Sequence, residues 1–266
     1  MKFDIDQARF ETPGCQRLIH FNNAGAALMP DPVVQSLITY VRLEAEMGGY
    51  EAAEQESKKV ENTYSAAAQL LNCNASEIAF VESATRGWDM AFYSIPFVAG
   101  DVILTGQSEY ESNYLAFLQI ARKTGAKVEV VPNDESGQFS VKALKNRMDS
   151  KVKLIAMTHV PTNGGLVNPA EEVGIVAKDA GVLYLLDSCQ AAGQLDLDVQ
   201  KLNCDFLSFT GRKYIRGPRG TGILYVKDSV CEKFEPVFLD LQSAEWTSRD
   251  QYSLWTAPLK LEAFLT

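Results

Sequence analysis

The chain has 266 residues, 46% of them apolar and 22% charged, with 18 glycines and 10 prolines, which excludes a disordered or fibrous polymer and leaves ample apolar material for a core. With 25 basic against 34 acidic residues the net charge is -9, so the general attraction to phosphate that drives nucleic-acid and anionic-membrane binding is absent; neither partner is expected. Five cysteines (Cys15, Cys73, Cys189, Cys204, Cys231) without a C-x-x-C pair indicate neither a disulfide framework nor a cysteine zinc site, and suit a reducing compartment. No run approaches the ~18 apolar residues of a membrane span, so a cytoplasmic protein is expected. Two histidines, His20 and His159, cannot build a histidine-rich metal centre, and no metal is expected.

Residues 1–20 carry no strong element. Asp31 as N-cap, Pro32 at the first helical position and Gly48-Gly49 as a stop predict a helix over about 32–47, followed by a second over about 53–71. Seven apolar runs follow, at 78–81, 101–105, 127–131, 153–158, 182–187, 206–210 and 222–226. Helical stretches near 85–95, 111–124, 140–149 and 169–180 separate them. Apolar strands alternating with helices imply an α/β fold: a mainly parallel seven-stranded sheet sandwiched by helices. Residues 21–244 read as one large domain and 245–266 as the start of a carboxy-terminal segment or small domain. The chain stops inside the helix-like run EAFLT, with the expectation that the natural protein continues.

In open α/β sheets ligands bind beyond the carboxyl ends of the strands. The segments there are Glu82–Thr85, Ser108–Asn113, His159–Gly165, Asp187–Gln190 and Thr210–Lys213. Each could be an ordinary turn or helix cap. Together they supply an acid at a strand end, a lone lysine on a later loop, and small hydroxyl residues at a helix start. Those are the parts of a pyridoxal phosphate site: an amine for a Schiff base, a carboxylate for the pyridine nitrogen, and a helix amino terminus for the phosphate.

FNNAG at 21–25, ESAT at 82–85, HVPTNGGLVNP at 159–169, DSCQAAGQ at 187–194 and TGRKYIRGPRGTG at 210–222 make the stretch from Asn22 to Val226 resemble the class V aminotransferases of fold type I. That family includes cysteine desulfurases, cysteine C-S lyases and isopenicillin-epimerase-like proteins. The resemblance implies pyridoxal 5'-phosphate as cofactor and Lys213 as its Schiff-base lysine. It implies Asp187 at the pyridine nitrogen, Gln190 and Asn163 at the 3-oxygen, and Ser83, Ala84, Thr85, Thr210 and Arg212 around the phosphate. It places Tyr110 against the ring and Asn23, Ala24 and Gly25 on the substrate side. His159 is then a satisfied structural histidine and Cys189 a small packed residue. A small amino acid is the implied substrate, bound through an external aldimine. The implied assembly is a homodimer, with a cross-subunit contact in EWTSRDQYSLWTAP (245–258).

Two departures bear on the reaction. Tyr110 stands where desulfurases place a histidine, and a phenol with a reference pKa of about 10 shuttles protons poorly near neutral pH. Arg212 stands where the commoner pattern has a histidine. In the family, the desulfurase cysteine and the substrate-carboxylate arginine lie further along than these residues. C-S lysis by β-elimination is therefore expected ahead of transamination or epimerisation. A non-catalytic or incomplete homologue that keeps the fold is the alternative. The loop Gly217–Gly222 is no dinucleotide fingerprint, because it precedes a strand instead of opening a helix.

Overall fold

The seven expected strands are β1 (Ile78–Val81), β2 (Val102–Gly106), β3 (Lys127–Val131), β4 (Val152–Thr158), β5 (Leu183–Asp187), β6 (Phe206–Thr210) and β7 (Gly222–Val226). They are seen in a computed structural model that describes residues 4–241 and 243–255. They form one sheet in the order β1-β7-β6-β5-β4-β2-β3. Pairs β2·β3, β2·β4, β4·β5 and β5·β6 are parallel. Strand β7 runs antiparallel to both β6 and β1, so β1 points the same way as β6. The single reversal has a local cause: the link 211–221 contains no helix, and a parallel return needs a crossover of a dozen residues or more.

Helices cover both faces, which is why β2, β6 and β7 are mainly apolar and buried throughout rather than alternating. Successive residues of β5 show the division: Tyr184 and Leu186 join one core and Leu185 the other. The first core takes Leu71 from α4 (Ser57–Leu71), Leu144 from α7 (Val141–Arg147) and Val173 from α8 (Ala170–Ala180). The second is built on aromatic packing between α5 (Ala84–Ser94) and α6 (Glu111–Thr124). There Trp88 lies 4.8 Å from Phe92 and 5.3 Å from Phe117, centroid to centroid.

Several boundaries differ from the sequence reading. The amino-terminal segment holds a helix, α1 (Ile5–Phe10), started by Asp4, whose side chain accepts the Gln7 N–H at 2.9 Å. Helix α2 (Asp31–Met47) has Pro30, not Asp31, as its N-cap; the Asp31 side chain instead accepts from Gln35 one turn on. None of its 17 residues is buried. The expected helix 53–71 is two, α3 (Gly49–Gln55) and α4, broken where Glu56 leaves helical geometry. Short helices α9 (Val199–Leu202) and α10 (Asp228–Cys231) went unforeseen. So did the hairpin of β8 (Ala244–Ser248) and β9 (Gln251–Leu254), a separate two-stranded sheet in the segment expected to make cross-subunit contact. The part of that segment from 256 on lies outside the described residues.

Strand β7 packs against the start of α5 only because residue 222 has no side chain. A Cβ there would stand 2.7 Å from the Ser83 carbonyl carbon and 3.0 Å from the Ala84 nitrogen, both backbone. Gly222→Ala should therefore destabilise the protein by roughly 1–3 kcal/mol, read as a lower urea midpoint at unchanged slope; an unchanged midpoint would show that β7 and α5 separate freely.

Candidate active site

Because β1, β2, β4, β5 and β6 all run the same way, their carboxyl ends share one edge of the sheet. One cleft at that edge is lined by Thr85, Tyr110, Thr162, Asp187, Gln190 and Lys213, among others. After β1 the chain turns into α5. Ser83 is its N-cap, with Oγ accepting the Arg86 N–H at 3.1 Å. That hydroxyl is committed to the cap; it is Ala84 and Thr85 that line the cleft. The first turn of a helix leaves N–H groups without intrahelical partners at the positive end of its dipole, which suits a phosphate.

Asp187 ends β5 and is buried, 5% exposed. Its Oδ1 accepts the Cys189 N–H at 2.9 Å and its Oδ2 accepts Asn113 Nδ2 at 3.0 Å. Burial still raises its pKa above the usual carboxylate range, against these two donors and the nearby Lys213 ammonium. The other Asn113 bond runs to Glu109 Oε1 at 2.9 Å. Burial pushes Glu109 up to about 7, opposed by hydrogen bonds from Thr158, Asn113 and the Tyr110 N–H, and reinforced by repulsion from Asp187. Glu109 and Asn113 were legible only as members of a polar loop; Glu109 precedes the N-cap of α6 and Asn113 lies in its first turn, so their meeting depends on how the chain enters the helix.

Lys213 is 6% exposed, yet among the described residues no carboxylate lies within 4.0 Å of its Nζ. The contact it has is the Tyr110 ring, with Nζ 6.0 Å from the centroid. The loop around it is held by backbone bonds: Arg216 N–H to the Lys213 carbonyl at 2.9 Å and Gly217 N–H to the Gly211 carbonyl at 2.7 Å. Arg216 takes a left-handed φ of 63°, fixed by its own guanidinium bonds to the Leu28 carbonyl and the Thr12 hydroxyl. Arg212 donates to Thr210 Oγ1 at 2.9 Å, and that hydroxyl donates on to the Thr221 carbonyl at 3.1 Å.

Gln190 is buried beside the cleft; Nε2 donates to the Ala24 carbonyl at 3.1 Å, while Oε1 has no partner among the described residues. Asn163 is not brought to this cleft. It is exposed and lines a neighbouring one with Ser108 and Glu111. The residue beside Gln190 is Thr162, whose Oγ1 lies 3.5 Å from Nε2. Of the 23–25 loop, Ala24 reaches Gln190. Asn23 faces a separate cavity of about 320 Å³ with Thr12, His20 and Arg216, and Gly25 is exposed and bonded back to Asn22. His159 is buried, its Nδ1 has no partner among the described residues where a satisfied histidine was expected, and burial lowers its pKa to about 4.

The donor set fits pyridoxal phosphate: a buried amine without an ion pair and an amide oxygen without a partner among the described residues, a buried acid with its pKa raised by burial, and a helix start across the cleft. The fold is that of the fold type I large domain. The sequence matches the aminotransferase class-V family over residues 19–263, and the chain belongs to it. It is 31% identical over 277 residues to a cysteine desulfurase of Escherichia coli O8, covering 99% of this chain and 68% of that protein. A "Probable cysteine desulfurase" of Pyrococcus abyssi is 29% identical over 263 residues, covering 97% and 65% respectively. Two solved structures are similar: the apo cysteine desulfurase of Thermococcus onnurineus NA1 (TM-score 0.91, 28% identity, 99% of this chain and 67% of that one) and Escherichia coli CsdA (0.92, 26%, 100% and 68%). The chain thus spans about 65% of the length of its Pyrococcus abyssi relative.

Cys189 lies in the cleft, but burial and the Asp187 charge push its thiol up to about 12. Its thiolate fraction at pH 8 is then about one in ten thousand, and a thiol reacts through its thiolate. Iodoacetamide at pH 8 should label the exposed Cys15 in native protein and leave Cys189 at least ~10-fold slower by peptide mass spectrometry; equal labelling would make Cys189 an activated nucleophile.

Proposed function

We propose that this protein is a pyridoxal-phosphate-dependent enzyme that breaks the C–S bond of a cysteine-class amino acid by β-elimination. The observation that carries the reading is the burial of Lys213 and Asp187 in one cleft without an ion pair between them, facing the first turn of α5. When bound, the cofactor supplies an aldehyde that condenses with amines and a ring that withdraws electrons from the substrate α-carbon. Asp187 holds a proton at the pyridine nitrogen. Lys213 would carry the amine that holds the cofactor and would move a proton at the substrate α-carbon. The α5 N–H groups, with Arg212 and Thr210 beside them, hold the phosphate, and Tyr110 covers the ring. Sulfur chemistry is supported by the relatives, which are cysteine desulfurases. Elimination is supported by Tyr110, which offers no imidazole for proton shuttling.

Elimination takes cysteine and water to pyruvate, ammonia and sulfide. Holoprotein given L-cysteine should release pyruvate and sulfide in equal amounts. Alanine with protein-bound sulfur would make it a desulfurase instead, and keto acid or racemised substrate without sulfide would overturn C–S cleavage. Borohydride should fix cofactor mass on the peptide holding Lys213, and label on another lysine would refute that assignment. Asp187→Asn should keep the cofactor while losing about 10–1000-fold in turnover.

We also infer a homodimer in a reducing, cytoplasmic setting. No disulfide joins any of the five cysteines. The β8–β9 hairpin presents Trp246 at 72% exposure together with Tyr252 and Trp255, a composition enriched at protein interfaces. Helix α2 adds exposed Leu37, Ile38 and Val41. Sedimentation equilibrium should give twice the chain mass, and Trp246→Glu should shift it toward one; a wild-type monomer would contradict the inference.

A further inference from the structure

Resting on the cofactor reading above, we propose that Glu109 is a positioning residue of the site, fixing at once the aromatic ring beside Lys213 and the carboxylate of Asp187. It touches neither the lysine nor the cleft that holds it. Its reach comes from what its two oxygens accept. Oε1 takes the Tyr110 N–H at 2.8 Å and Asn113 Nδ2 at 2.9 Å, with the Thr158 hydroxyl also donating to it. Oε2 takes the Thr105 hydroxyl at 3.1 Å and the Thr158 N–H at 3.1 Å. One carboxylate thereby ties the ends of β2 and β4 to the start of α6.

Two consequences follow for groups that face the cofactor site. Tyr110 is the N-cap residue of α6, and its one backbone N–H is shared between Glu109 Oε1 at 2.8 Å and Thr158 Oγ1 at 3.3 Å, which fixes the backbone from which the ring projects. Asn113 is buried, and its Nδ2 bridges Glu109 and Asp187, the latter 74 residues further along the sequence from Asn113. The two hydrogens of one amide nitrogen suit two acceptors, so Asp187 Oδ2 is held by an amide that Glu109 itself holds. With Oδ1 on the Cys189 N–H, the Asp187 carboxylate has one orientation.

The charge pattern agrees. Glu109 faces the Asp187 carboxylate and the Tyr184 phenol from β5, the neutral Thr158 from β4 and Thr105 from β2, and Asn113 within α6; Lys213 lies beyond Asp187. Among the described residues no cation pairs with Glu109, so its charge rests on hydrogen bonds alone. A protonated ring nitrogen against Asp187 would lower the cost of a second carboxylate behind it. Two of the donors are backbone N–H groups that cannot turn round, one at each oxygen. A glutamine at this position must set its own N–H against one of them.

The test uses the full chain titrated with pyridoxal phosphate, for the wild type, Glu109→Gln, Glu109→Asp, Asn113→Ala and the Glu109→Gln/Asn113→Ala pair. Three readouts are followed: cofactor Kd, the pH midpoint of the cofactor absorption change, and visible circular dichroism. Glu109→Gln should raise Kd about tenfold. It should also move the pH midpoint down by about half a unit or more, because removing a negative charge disfavours the protonated form. Glu109→Asp keeps the charge and should keep the midpoint while losing affinity. Asn113→Ala should weaken binding and the dichroism to a similar degree. The double variant should be no worse than either single one within about twofold, because the two residues act in series on Asp187. Should Glu109→Gln fail to fold, Glu109→Asp and Asn113→Ala carry the test. Unchanged Kd and midpoint in folded variants, or losses that multiply in the double variant, overturn the proposal. A wild type that forms no cofactor band overturns the cofactor reading instead, and this inference with it.

Discussion

The fold gathers an amine and two carboxylates at one edge of a sheet and buries them without pairing them directly. Lys213 has an aromatic ring for company, Asp187 and Glu109 share a single amide, and burial drives both acids above the ordinary carboxylate range. An arrangement of this kind is costly unless something arrives to complete it. The backbone is organised around that edge: six strands point toward it, α5 and α6 begin beside it, and the turn into the single antiparallel strand β7 brings Thr221 back to hold Thr210.

Packing keeps the edge rigid. The aromatic cluster of Trp88, Phe92 and Phe117 locks α5 against α6, so the helix start facing the phosphate position and the helix start carrying Tyr110 and Asn113 move as one body. Backbone contacts as close as those at Gly222 leave no space for α5 to slide. The amino-terminal segment joins in, since Arg216, beside the lysine loop, is anchored on Thr12 and Leu28, which lie far from it in sequence.

Much of this is local and therefore readable from the sequence. Runs such as VILTG and FLSFT are mainly apolar and show no alternation because both sheet faces are covered, and a chain of such runs between helices defines the architecture. Lys213, Asp187, Gln190 and Thr85 follow their strands at the expected edge. What could not be read depends on long-range geometry. No periodicity shows that β7 reverses direction, or that one amide joins residues 109 and 187. The neighbour of Gln190 is Thr162 rather than Asn163: at the tight turn 162–164 Thr162 lines both clefts and Asn163 only the neighbouring one, which a motif leaves undetermined. The amino-terminal helix was missed because its signal is a single aspartate cap on a short polar segment. The break at Glu56 interrupts a pattern that reads as continuous helix.

The relatives share this framework over nearly the whole chain at about 30% identity, so the architecture tolerates wide substitution while the groups at the edge define the chemistry. The central claim is that the Lys213–Asp187 cleft is built for a phosphate-bearing pyridine aldehyde. A crystal structure of the protein soaked in pyridoxal phosphate tests it most directly. The account predicts density continuous from Lys213 Nζ into the ring, the phosphate at the first turn of α5, and an Asp187 oxygen within hydrogen-bond distance of the ring nitrogen. Cofactor found away from Lys213, or a ring nitrogen turned from Asp187 toward solvent, would contradict it.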